Sequence, residues 1–179
     1  WVREIEHEVA GVELVTKKYR EEVVEGYWRD GRYQVKVVPS SLTSNPQGIE
    51  ELKIGDNGYN DESVTELKLS KLVRLKRITI GNECFVNVRV FELDGLSELE
   101  SVVIGQRSYW TASKERSDGS YRIVNCPKLK SIQIGGSSFL DYHSFELNNL
   151  PSLQSIDIGG GCFYYAPSFS LIGMIGGMV

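Results

Sequence analysis

Few residues of this chain have the types and spacing that enzyme chemistry needs. The two histidines, His7 and His143, are isolated, and no His-Glu-x-x-His, Gly-x-Ser-x-Gly or Walker motif occurs. The glycines at 159–161 could cradle a phosphate, and segment 56–62 has the polar composition of a calcium loop. No lysine follows the first, however, and the second has Gly58 where an EF-hand places a ligand. We therefore predict no catalytic residue, no cofactor and no metal site, and we expect the chain not to be an enzyme.

The charge distribution argues against a nucleic-acid partner. The net charge is −4, and no lysine or arginine follows Lys130. Residues 158–179 are uncharged over a length that could cross a membrane. Their glycines and Pro167 keep the register of the repeat described below, so we expect no membrane span.

The three cysteines do not suggest a disulfide framework. Cys84 and Cys162 occupy the same position of the repeat, three turns apart. Stacked turns spaced by ~4.8 Å would separate them by about 14 Å, which is too far for a disulfide. Cys126 occupies another position. We interpret all three as buried free thiols, which weakly favours an intracellular location and leaves the compartment otherwise unassigned.

The elements that must position any functional side chain follow from an internal repeat. An Ile-Gly pair recurs at spacings of 26, 24, 30 and 24 residues, so the basic period is 24. The pairs are Ile54-Gly55, Ile80-Gly81, Ile104-Gly105, Ile134-Gly135 and Ile158-Gly159. Six further apolar columns keep this register. One is aromatic and contains Tyr59, Phe85, Tyr109, Phe139 and Phe163.

The columns predict two strands in each turn. Leu75-x-x-Ile78-x-Ile80 alternates with period two, as a strand with one buried face does. Phe91-x-Leu93 predicts a second strand on the opposite side. No single turn can bury its own apolar face, so the turns must stack around a continuous core. The glycine after each first strand indicates either a positive φ or a close backbone approach.

The same columns resemble a known repeat family. Leu75-x-x-Ile78-x-Ile80-x-x-Glu83-x-Phe85 resembles the leucine-rich-repeat motif L-x-x-L-x-L-x-x-N-x-L, and the resemblance covers about residues 49–174. It implies a mainly β, right-handed solenoid of about five turns that binds partners on an exposed face. Only Asn57 matches the motif's asparagine, so the other turns must satisfy their backbone groups differently. The Ile-Gly and aromatic signature also resembles the irregular repeats of microbial surface antigens.

The N-terminal residues lie outside the repeat. We predict that 1–45 form a small cap covering the apolar edge of the first turn, and that the solenoid occupies 46–179. Asp30-Gly31, between Tyr27-Trp28 and Tyr33, predicts a two-residue hairpin. Residues 1–23 fit either a helix or a strand.

The outward face of the first strands is the candidate for binding a protein partner, together with the inserted loop of the third turn. The candidate residues are Arg77, Thr79, Ser101, Val103, Ser131, Gln133, Ser155 and Asp157 on the strands, and Trp110, Lys114 and Arg116 at the insertion. We expect a protein–protein interaction module. The alternative is an extracellular surface adhesin or receptor domain of a larger protein.

The last repeat predicts an open end. Phe169, Leu171 and Met174 continue the apolar columns, but no charged or amphipathic segment follows them. We expect either further turns in a longer parent chain or self-association through this end, with a two-fold homodimer as the default arrangement.

Overall fold

The structure, a computed structural model, describes residues 12–15, 26–29, 32–35, 50–60, 66–69, 72–110 and 119–173. None of these residues is helical. The strands in chain order are β1 (Val12–Val15), β2 (Gly26–Arg29), β3 (Arg32–Val35), β4 (Glu51–Ile54), β5 (Glu66–Lys68), β6 (Arg77–Ile80), β7 (Val90–Asp94), β8 (Ser101–Ile104), β9 (Gly119–Val124), β10 (Ser131–Ile134), β11 (Tyr142–Asn148), β12 (Ser155–Ile158) and β13 (Ser168–Ile172).

Two sheets enclose the core. The first has the order β1-β4-β6-β8-β10-β12 and the second has the order β13-β11-β9-β7-β5. From β4 onwards all neighbouring strands are parallel, and the chain visits the two sheets alternately. The predicted β-solenoid is therefore confirmed. Four complete periods separate β4 from β12, and β12 and β13 continue the winding.

The register of the sequence repeat is also the register of the strands. In the first sheet Ile54 pairs with Ile80, and the pairing continues through Ile104 and Ile134 to Ile158. The second sheet aligns Leu67, Phe91, Tyr121, Phe145 and Phe169 in the same way. The unequal spacings of the repeat therefore fall in the connections and leave the strands aligned.

Aromatic rings stack in rows along the inside of the solenoid. Phe139 lies between Tyr109 and Phe163, with ring centroids 4.5 and 5.1 Å apart and interplanar angles of 11° and 1°. A second row, in which Phe91 and Tyr121 are 5.0 Å apart, meets the first row edge-on. Stacked and edge-to-face pairs are favourable beyond the area they bury, so both rows stabilise the register.

The repeated glycine has a steric reason. A β-carbon on Gly105 would lie 2.5 Å from the carbonyl carbon and oxygen of Gly81. The Gly105 N–H also donates to the Ile80 carbonyl at 2.8 Å. Neither Gly81 nor Gly105 has a positive φ. Of the two reasons predicted for this glycine, the close approach of successive turns is the correct one.

The described part of the N-terminal segment forms three strands. β2 and β3 pair antiparallel with Arg29 opposite Arg32, which confirms the predicted hairpin. β1 pairs antiparallel with β4, with Val12 opposite Ile54. This edge of the first sheet is therefore covered by a strand, and over 12–15 the strand alternative is the correct one. The rest of 1–23 lies outside the described residues.

Candidate functional site

Each turn leaves the first sheet through a corner that contains two left-handed residues. In the second turn these are Glu83 with φ 55° and Phe85 with φ 56°, and in the third they are Arg107 with φ 53° and Tyr109 with φ 58°. Residues other than glycine rarely adopt this backbone conformation. The second residue of each pair belongs to the buried aromatic row, so the corner is fixed by core packing.

A row of small polar side chains joins successive corners. The Ser108 hydroxyl donates to the Gly81 carbonyl at 2.8 Å and accepts from the Cys84 N–H at 3.1 Å. Ser138 makes the same two bonds one turn later, at 2.8 and 3.1 Å. This Cys–Ser row consists of Cys84, Ser108, Ser138 and Cys162, and both thiols donate to glycine carbonyls. It satisfies backbone groups of the corners in turns that have no asparagine at the position of Asn57.

The two thiols of this row and the thiol of Cys126 are free, and they differ in burial. Cys84 and Cys126 are buried, and burial raises the pKa of each to about 11. Cys162 is only partly buried, so the prediction that all three cysteines are buried is wrong for this one. The reason is its position in the last described turn, where no described turn stacks over it.

The predicted outward face of the first sheet, here called the strand face, consists of Arg77, Thr79, Ser101, Val103, Ser131, Gln133, Ser155 and Asp157. All eight side chains are exposed or partly exposed, whereas the strand residues that alternate with them in β6, β8 and β10 are buried. Register aligns Ser101 with Ser131 and Ser131 with Ser155, so three hydroxyls stand in one line across neighbouring strands.

Charges on this face collect at its two ends. Arg77 Nε donates to Glu51 Oε1 at 2.8 Å, and this carboxylate raises the pKa of Arg77. Asp157 lies on β12 at the opposite end. The strand-face side chains of β8 and β10 between them are uncharged. The centre of the face is therefore neutral and built from small or medium-sized side chains.

The outward face of the second sheet is different in character. Arg122 donates to Glu92 at 2.9 Å, to Glu146 at 3.2 Å and to Asp94 at 3.4 Å. Arg122 stands on β9 between carboxylates of both neighbouring strands and binds all three of them. This face therefore presents a cluster of charges, in contrast with the neutral centre of the strand face.

One insertion candidate, Trp110, lies on a third surface. A groove of about 390 Å³ follows the corners after the first strands, and Trp110, which is 44% exposed, stands in it. Its lining residues are Asn57, Asn60, Glu83, Val86, Arg107, Trp110, Ser137 and Leu140. We call it the corner groove. Of the insertion candidates, Lys114 and Arg116 lie outside the described residues.

Residues 56–60 of the calcium-like segment and the glycines at 159–161 form corners of the solenoid, and His143 lies on its surface. Asp56 Oδ1 accepts from the Asn82 N–H at 2.7 Å, and Asn60 Nδ2 donates to the Glu83 carbonyl at 2.7 Å. Gly161 occupies a left-handed corner position with φ 78°, and His143 is exposed on β11. Within the described ranges, no group of three or more His, Cys, Asp or Glu side chains is arranged to hold a metal ion.

The last described turn exposes its apolar residues. Phe169 is 57% exposed and Leu171 is 56% exposed, as predicted for an open end, while Met174 lies outside the described residues. Both stand on β13, which is an edge strand of the second sheet. In the part of the chain that is described, no helix is long and apolar enough to cross a membrane.

Comparisons of the chain with family models, curated proteins and solved structures gave no match. The strand face, the outward face of the second sheet and the corner groove are therefore the basis for a proposed function.

Two structural features, the Cys–Ser row and the corner groove, were not predicted from the sequence. The serines of the Cys–Ser row stand one residue before the aromatic column, in the same column as Cys84 and Cys162, and that signal was available. The residues of the corner groove also stand at fixed repeat positions, three and six residues after each repeat isoleucine. Whether these two columns enclose a groove depends on the geometry of the corners, which the sequence does not indicate.

Proposed function

We infer that this chain is a leucine-rich-repeat-type solenoid that binds a protein partner on its strand face. The observation that carries the proposal is the neutral centre of this face between charged ends. Specific protein interfaces have a core depleted of charged residues and a polar rim, and the outward face of the second sheet, with its central cluster of charges around Arg122, lacks that arrangement. The motif match and the 24-residue period support the family assignment.

The serine line gives the face a shape suited to close contact. Ser101, Ser131 and Ser155 are small, so the backbone or a large side chain of a partner can approach the sheet between longer neighbours. Val103 adds partly exposed apolar surface beside them. We expect the partner to place its anchoring side chains over this line, where they would lose the most water.

The size of the face limits what it can do alone. Four residues at about 3.3 Å each and four strands at about 4.8 Å give an area of roughly 250 Å². A stable interface buries about 800 Å² on each partner. The partner must therefore extend past the strands, and we propose the insertion candidates Trp110, Lys114 and Arg116 as its second contact.

The test is photocrosslinking from two faces of the same protein. A photoreactive phenylalanine analogue is placed at Ser131 on the strand face and, as the matched control, at His143 on the outward side of β11. We expect a discrete crosslinked protein from position 131 that excess unlabelled chain competes away, and no such product from position 143. Equal products from both positions, or none from position 131, would contradict the proposal.

A further inference from the structure

We propose that the corner groove binds a neutral oligosaccharide. Two rows of side chains form it. The first stands three residues after each repeat isoleucine and contains Asn57, Glu83, Arg107 and Ser137, and the second stands three residues further on and contains Asn60, Val86, Trp110 and Leu140. Four turns at ~4.8 Å make the groove about 14 Å long. One wall is polar, and the other is mainly apolar with an exposed indole.

The backbone beneath the groove cannot bind an extended peptide by strand addition. The N–H groups of Glu83, Arg107 and Ser137 already donate to carbonyls of the next turn, at 2.9, 3.0 and 2.9 Å. Strand addition depends on free main-chain groups at an edge, and these are used within the solenoid. A ligand here is therefore recognised by side chains.

Those side chains favour an uncharged ligand that has many hydroxyl groups. Arg107 Nη1 lies 3.5 Å from Glu83 Oε1, so these two charges, the only ones among the described lining residues, offset each other. Both groups retain hydrogen-bonding capacity, and the Asn57 amide and the Ser137 hydroxyl add donors and acceptors. Trp110 supplies an apolar ring face. A pyranose has the complementary construction, with an apolar face of C–H groups and a polar edge of hydroxyls.

A second exposed aromatic residue lies in the column of Trp110, at a spacing that suits a chain of sugars. Tyr164 is 71% exposed and occupies the same repeat position as Trp110, two turns further along. Two turns correspond to about 10 Å, so the two aromatic residues can contact rings separated by one intervening unit. We expect an oligosaccharide to lie along the solenoid axis with Trp110 as the main platform.

The experiment uses the whole chain on an array of neutral glucose, galactose, mannose and N-acetylhexosamine oligomers, printed beside extended peptides. We expect binding to at least one oligosaccharide series and little change on raising the salt concentration. Trp110→Ala should weaken that binding by about tenfold or more, and Trp110→Phe should retain most of it. Ser137→Ala should have a smaller effect.

The control variant is Gln133→Glu, which changes the strand face and leaves the corner groove intact. It should bind the oligosaccharide as the parent does, so failure of this inference is distinguishable from failure of the protein-binding proposal. No bound oligosaccharide on the array, binding to the peptides instead, or undiminished binding by a folded Trp110→Ala variant would each overturn the inference.

Discussion

Replacing Ser108 by alanine tests the role of the Cys–Ser row. Ser108 is fully buried, and its hydroxyl serves two backbone groups of the preceding turn, the Gly81 carbonyl and the Cys84 N–H. The substitution removes the hydroxyl that is the partner of both backbone groups, and it does not create room for a water molecule. A buried polar group left without its partner costs about 1–3 kcal/mol. For the pair we expect a loss of about 2–4 kcal/mol in the free energy of unfolding.

Urea unfolding followed by circular dichroism measures this loss. With a slope of about 2 kcal/mol/M, the midpoint should fall by about 1–2 M, and the slope itself should not change. Ser97→Ala, at an exposed turn position, is the matched control and should cost less than about 0.5 kcal/mol. Ser108→Cys should lie between the two, because a thiol is a weaker donor and already occupies this position at Cys84.

A loss for Ser108→Ala no larger than that of the Ser97 control would refute the reasoning. It would mean that the corner carbonyls and N–H groups are satisfied in some other way, and the Cys–Ser row would then be only a packing feature.

Three further predictions follow from the core, the thiols and the open end. Phe139→Ala should cost ~3–5 kcal/mol in denaturant unfolding, because it removes a ring from the middle of a stacked row, and a loss below about 1 kcal/mol would contradict the register. The pKa of Cys84 is raised from 9.0 to about 11 in the folded chain, so the folded state holds its proton while the unfolded state loses it. Stability should therefore fall as the pH rises above about 9, and a Cys84→Ser variant with the same alkaline midpoint would argue against this cause. The chain should self-associate at micromolar concentration through the exposed β13 and become monomeric on Leu171→Lys, and light scattering that finds the parent monomeric would exclude this.

The sequence was most informative where a periodic core determines the structure. Each parallel strand pair of the two sheets follows the apolar columns of the repeat, because a register slip of one residue would turn buried side chains such as Ile104 and Phe145 outward. The corners that follow the strands of the second sheet could also be predicted from residue types. Their left-handed residues are Gly95, Asn125, Asn149 and Gly173, which are the residue types that tolerate this conformation.

The corners that follow the strands of the first sheet could not be predicted in this way. Glu83 and Arg107 adopt a left-handed conformation that their residue types do not favour. They adopt it because the next aromatic residue must enter the core and the corner N–H must reach the following turn. The corner groove could not be predicted for the same reason. The positions of Trp110 and its neighbours depend on the corners, whose conformation is fixed by packing between turns.

Binding of a protein to the strand face can be tested with the partner that crosslinking identifies. The dissociation constant of the parent is compared with those of Ser131→Arg on the strand face and His143→Arg on the second sheet. Both changes are at solvent-facing positions and should leave the melting temperature nearly unchanged. We expect Ser131→Arg to weaken binding by about tenfold or more and His143→Arg to leave it unchanged. Equal affinities for all three proteins, or equal losses for the two variants, would contradict it.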